Sequence, residues 1–175
     1  MFIIGEKING MFKNVSEAIQ TKNKLIIQEL AKKQLAAGAD ALDVNVGPAS
    51  ADHLKDMEWL ITAIREVTDK PLAVDTTKLN VMERGLQLAG PGSIINSASG
   101  QKEKLDALLP LAKKYKSKVI ALTMTKSGVP ANADARMEIA ANIVAACMEH
   151  GVDTENLFID AVILLVLHRI ENLEM

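Results

Sequence analysis

ALDVNVGPASADHLKDMEWLITAIREVTDKPLAVDTT, residues 41–77, decides how this chain folds. It opens on one apolar run, ALDVNVG (41–47), and closes on another, LAVDTT (72–77). Between them, Leu54, Met57, Ile61 and Ile64 recur at helical spacing with charged residues opposite, the signature of an amphipathic helix. Two strands separated by a whole helix cannot form a tight hairpin, so they pair in parallel through a right-handed crossover. Both runs are apolar on alternate and intervening positions, as strands covered on both sides should be.

Working outward, the same unit repeats. Further strands are expected at FIIGEKI (2–8), SIINSAS (93–99), KVIALTM (118–124) and LFIDAVI (157–163). Helical period returns in NKLIIQELAKKQLAAG, KLNVMERGLQLAG, EKLDALLPLAKKY and ADARMEIAANIVAACMEHG. Gly38, Gly90 and Gly151 stand where helices end. Asp52 and Asp134 stand where they begin, and Thr77 and Ser50 read as further caps. Six strand–helix repeats give a parallel α/β sheet, either an open doubly wound sheet or a (β/α)8 barrel. A doubly wound sheet usually announces a glycine-rich phosphate loop after its first strand, and EKINGMFKN has one glycine. A barrel needs eight units and about 250 residues, whereas this chain has 175 residues and six strand candidates.

Composition narrows the function. A net charge of −2 leaves no basic face for nucleic acid, and 3% aromatics leave few stacking platforms. The single cysteine, Cys147, excludes an internal disulfide or a cysteine-rich zinc site and reads as a buried, inert thiol. No metal site is expected. The start MFIIGEKING lacks the pattern of a signal peptide, and the longest apolar run, 161–167, is too short to cross a bilayer. A cytoplasmic protein without a membrane partner is expected.

In parallel α/β sheets chemistry gathers at the C-terminal strand ends. Those ends carry Glu6 and Asn9, Asp43 and Asn45, Asp75, Asn96, then Thr123, Thr125 and Lys126, and Asp160. Any one of them serves equally well as a cap or turn residue. Asp75, Asn96 and Asp160, however, follow the apolar runs LAV, SII and LFI, and a buried carboxylate or amide is costly without a partner. Three such groups on one rim favour a ligand. Acids and amides with few cations do not suit phosphate as the main handle. They suit a ring edge with parallel N–H donors, such as a pterin or guanine, because a carboxylate accepts two such bonds. A hard cation is the rival occupant. His53 and His150 read as helix-surface residues, and His168 lies in an atypical tail.

IIGEKINGMF, GADALDVNVGP, MEWL, LAVDTT, IINSAS, ALTMTKSGVP and LFID together resemble the methyltetrahydrofolate:corrinoid/iron-sulfur protein methyltransferase family. The resemblance runs in register from residue 1 to about residue 164. Dihydropteroate synthase and the folate domain of cobalamin-dependent methionine synthase are more distant relatives. It implies a (β/α)8 barrel of the pterin-binding type, here incomplete with about six units. It also implies that Asp75, Asn96 and Asp160 hold the pterin ring of methyltetrahydrofolate, with Asp43, Asn45, Glu6 and Asn9 lining the pocket. Cobalamin is implied on a partner corrinoid protein, and a homodimer is implied as the assembly. In the family the N5-methyl group moves to or from cobalt. An Asn on a later strand stabilises charge at N5, and positioning supplies much of the rate.

The chain departs from that pattern near its end. Ala161 and Leu165 stand where prolines are expected, and HRIENLEM matches nothing in the family. The expected organisation is therefore residues 1–164 as six barrel units and 165–175 as an atypical tail. No match to the late Asn is found, so no catalytic residue is named and impaired catalysis is expected. Six strands cannot close an eight-stranded barrel, and open edges invite pairing. A non-catalytic pterin-binding subunit is thus the alternative, with dihydropteroate synthase a third reading. The third would need a cationic diphosphate site, for which the rim offers Lys126.

Overall fold

A computed structural model describes residues 1–163. Six parallel strands form one sheet in the order β1-β2-β3-β4-β5-β6. They are β1 (Ile4–Asn9), β2 (Ala41–Asn45), β3 (Leu72–Asp75), β4 (Ile94–Ser99), β5 (Lys118–Leu122) and β6 (Leu157–Asp160). The helices are α1 (Lys13–Thr21), α2 (Lys24–Ala36), α3 (His53–Arg65), α4 (Leu79–Ala89), α5 (Lys102–Tyr115) and α6 (Ala133–Glu149), with a 3-10 turn at Thr154–Asn156. The proposed tail, His168 and Leu165 lie outside the described residues.

Strand order decides between the two architectures. A doubly wound sheet reverses its order at a switch point, whereas here each strand lies beside its sequence neighbour. The helices lie on one side. Leu42, Val44, Leu72, Val74, Ile95, Val119 and Ala121 pack with Met57, Ile61, Met82, Leu109 and Ile143 in one continuous core. On the other side, Ala41, Ala73 and Ile94 form a small separate cluster with Ile4 and Ile120 against it. The second face is therefore a barrel interior and not a second helix layer, which settles the two architectures in favour of the barrel. Among the described residues the sheet is open, six units of a (β/α)8 arrangement.

Local signals agree with the sequence at most ends. Asp52 caps α3, its carboxylate accepting from Lys55 N at 3.2 Å. Asp134 lies in the first turn of α6, behind the Asn132 cap. Ser50 and Thr77 do not cap. The Ser50 hydroxyl donates to Asp56 at 2.6 Å, while Lys78 occupies the cap of α4 without a side-chain bond. The neighbouring Thr76 hydroxyl accepts from Lys78 N instead. Helix α1, absent from the sequence expectation, is nine residues long and buries Val15, Ala18 and Ile19. Two and a half turns are too few for periodicity to stand out. Cys147 is fully buried in α6, and burial raises its thiol pKa.

Candidate active site

Side-chain alternation aims Asp43 and Asn45 of β2, Asp75 of β3 and Asn96 of β4 into the barrel interior. Register sets their heights. Asp43 lies opposite Ala73, and Asp75 lies opposite Asn96. Two hydrogen bonds tie them together. Asn45 Nδ2 donates to Asp75 Oδ2 at 2.6 Å. Asn96 Nδ2 donates to Asp43 Oδ1 at 2.8 Å. The second bond joins strands that are not neighbours, crossing above β3 where Ala73 carries only a methyl group.

These bonds fix which atoms face outward. Each amide donates one of its two N–H bonds to a neighbouring acid. Asp75 Oδ1 and Asn96 Oδ1 then have no partner among the described residues. They stand side by side as acceptors, the pattern a ring edge with adjacent N–H donors requires. Asn45 Oδ1 accepts from Gly47 N at 2.6 Å, which locks the amide that holds Asp75.

Asp43 is 3% exposed. Loss of water pushes its pKa up to about 7, further helped by the negative charges of Asp75 and Glu6 and opposed by the Asn96 bond. Desolvation also raises Asp75, against the Asn45 bond. Strongly raised carboxyls facing a cleft mark candidate functional groups.

The other expected residues fare differently. Glu6 is exposed on β1. Asn9 is half-buried, and its Oδ1 accepts from Met11 N at 2.9 Å, a turn role. Asp160 is exposed, contrary to the burial expected from LFI, and its Oδ1 accepts from Val162 N at 2.7 Å. Its neighbour across the sheet is Leu122, and beyond β6 no further strand is described, so apolar flanks alone do not bury it. Of the three polar groups inferred to be buried, Asp75 and Asn96 meet and Asp160 stands apart on the far strand. Lys126, the rim cation read from sequence, faces Glu103 at 3.3 Å. Lys78 and Lys104 line a hollow of about 230 Å³ beside the strand ends. The sequence reading passed over both because each falls at a helix start, where lysine ordinarily faces water. Among the described residues no three His, Cys, Asp or Glu side chains are grouped to hold a metal ion, and no helix is long and apolar enough to cross a membrane.

Known proteins resemble this chain. The family model described as pterin binding enzyme matches residues 9–175. The chain belongs to this family. Among curated proteins, the chain is 30% identical over 162 residues to methylcorrinoid:tetrahydrofolate methyltransferase of Eubacterium limosum. That match covers 91% of the chain and 60% of the relative. It is 27% identical to methionine synthase of Mycobacterium tuberculosis, covering 91% of the chain and 14% of the relative. The chain thus spans less than two-thirds of the curated relatives it matches. Its fold superposes on 7,8-dihydropteroate synthase from Vibrio fischeri with a TM-score of 0.67 at 20% identity, over 91% of the chain and 61% of that structure. That likeness speaks to the pterin-binding barrel alone.

Proposed function

We propose that this chain binds a reduced folate, methyltetrahydrofolate, and serves methyl transfer between that folate and the corrinoid of a partner protein. The observation that carries the reading is the adjacent pair of outward acceptors, Asp75 Oδ1 and Asn96 Oδ1, each backed by a fixed hydrogen bond. A pterin presents an amino group and a ring N–H on one edge. The Asp75 carboxylate and the Asn96 carbonyl receive these two donors. The relative from Eubacterium limosum, named for methylcorrinoid and tetrahydrofolate, supports this substrate pair over the dihydropteroate synthases, whose likeness is of fold. Glu6, Asn9 and Asp160 line the rim in this reading and contact the bound ring or its substituents. The corrinoid is a second substrate, presented by its carrier at the open mouth.

Titration calorimetry with methyltetrahydrofolate, on wild type and Asp75→Asn, tests the binding. The substitution swaps a charged acceptor for a group with its own N–H donors. A charge-assisted hydrogen bond is worth about 1.5–3 kcal/mol, so affinity should fall by about tenfold or more. Equal affinity in the variant would leave fold resemblance without a site. Methyl transfer to cob(I)alamin, followed spectroscopically, tests the reaction. Product formed from p-aminobenzoate and a pterin diphosphate would replace it with a condensing activity.

A further inference from the structure

Residues 123–132 join β5 to α6, a longer connection than the roughly two to six residues usual in α/β units. This loop and the end of β6 are bound to each other at the mouth. Thr123, which is buried, donates its N–H at 2.9 Å and its hydroxyl at 3.2 Å to the main-chain oxygen of Asp160. Arg136, half-buried near the start of α6, adds a second tie. Its Nε donates to Pro130 O at 2.8 Å, and its Nη1 donates to Ala161 O at 2.9 Å and, more weakly, to Val162 O at 3.4 Å. No carboxylate pairs with this guanidinium among the described residues. One planar, permanently charged fork therefore joins two loops through their main-chain carbonyls.

Val162 shows what this tie holds. Its φ of 54° lies in the left-handed region, which a β-branched side chain resists, and such a residue persists only where its surroundings fix it. Both polar groups of its main chain are held: its N–H donates to Asp160 Oδ1 at 2.7 Å, and its carbonyl accepts from Arg136. Asp160 follows Phe158 by two residues on the inner face of β6, opposite Leu122. Its Oδ1 is turned back on Val162, and its Oδ2 has no partner among the described residues. We propose that Arg136 is a positioning residue for Asp160: by holding the carbonyls of Ala161 and Val162 it fixes the tight turn that leaves Asp160 Oδ2 as an acceptor for the bound ring. The inference rests on the reading of Asp160 as a rim contact of the folate. Asp160 is exposed, so without the clamp its carboxylate samples several rotamers, and binding carries the cost of ordering it. With the clamp, one acceptor is set before the ligand arrives. Arg136 does this without pairing with the acid, since it bonds main-chain oxygens and leaves the Asp160 charge for the ligand.

Calorimetry with 5-methyltetrahydrofolate on the full chain compares wild type, Asp160→Ala, Arg136→Gln and the double variant. Asp160→Ala should bind about tenfold more weakly, as loss of a charge-assisted hydrogen bond implies. Arg136→Gln should bind about threefold to tenfold more weakly, and the double variant no more weakly than Asp160→Ala alone. That non-additivity is the signature of an effect exerted through Asp160. A merely structural arginine would weaken binding by the same factor in either background. Arg136→Lys is the second variant, and it serves where circular dichroism shows Arg136→Gln unfolded. A single ammonium keeps the charge but cannot serve carbonyls on two loops, so Arg136→Lys should show the same loss and the same non-additivity. Losses that multiply in the double variant would overturn the positioning role. So would wild-type affinity in Arg136→Gln or Arg136→Lys beside a weakened Asp160→Ala. Wild-type affinity in Asp160→Ala would remove the rim contact and the positioning role with it, while Asp75→Asn, on another strand, reports separately on the ring site.

Discussion

Asp43 carries the largest electrostatic cost in the site. It is 3% exposed, and among the described residues its one side-chain hydrogen-bond donor is Asn96. Unfolded, its carboxyl titrates near 3.8; folded, it titrates near about 7. Between those values the folded chain holds a proton that the unfolded chain has released. Stability therefore falls as pH rises through this window and levels off above about 7. Asp43→Asn keeps an oxygen for the Asn96 amide and removes the charge. Relative to wild type, the variant should gain on the order of 2 kcal/mol in urea melts between pH 5 and pH 8. Parallel pH curves for the two proteins would show that Asp43 is not held protonated by burial. The sequence made Asp75 and Asn96 legible because their apolar flanks put them near the core. Asp43 was visible only as one more strand-end acid, since its burial is set by Ala73 and Asn96 on other strands. Asp160 shows the converse: apolar neighbours along the chain, yet exposure, because burial belongs to what packs across the strand and not along it.

At the scale of elements, the site depends on how two loops cross. Gly10, after β1, donates its N–H to Asn45 O at 2.8 Å. A Cβ on Gly10 would overlap the carbonyl of Val46, and one on Gly47 would overlap the backbone of Gly10. Gly47 moreover has φ +76, a conformation other residues resist. The two backbones thus touch directly beside Asn45, whose amide holds Asp75. Gly10→Ala should cost about 1–3 kcal/mol, as overpacking does, measured by thermal melts. It should also weaken folate binding by loosening Asn45, while an equally destabilising helix substitution remote from the mouth leaves binding intact. Binding lost in both variants alike would assign the effect to stability. This crossing was not legible in the sequence, where EKING and DVNVGP lie far apart. The six strands were legible to within a few residues, since period and apolar content are local. The cap of α4 was not, because any of several adjacent polar side chains can cap and final loop geometry chooses among them.

Across the whole molecule, the first and last described strands meet through aromatic side chains. Phe2 precedes β1, and Phe158 lies on β6 opposite Ile120, so it faces the barrel interior. Their ring centroids are 6.0 Å apart with planes 15° from parallel. Lys118, on the inner face of β5, sets its ammonium 5.3 Å from the Phe2 ring centre and 5.7 Å from that of Phe158. The sheet order places β1 and β6 at opposite edges, so this contact forms only if the sheet curls far enough to bring its ends together across the floor. It serves as a latch on barrel curvature, and curvature is what converges Asp43, Asp75 and Asn96 above it. An offset aromatic pair contributes about 0.5–1.5 kcal/mol beyond burial. A double-mutant cycle on Phe2→Leu and Phe158→Leu, read by chemical denaturation, should return a coupling energy in that range. Lys118→Met should reduce the coupling, because the ammonium over each ring adds about 0.5–1 kcal/mol. Additive single-variant effects would mean that the two edges do not meet in solution and that the sheet is flatter than the site requires. In that event folate binding should weaken in neither single variant. If the latch holds the curl, it should weaken in both, since the acceptor pair is set by the same bend.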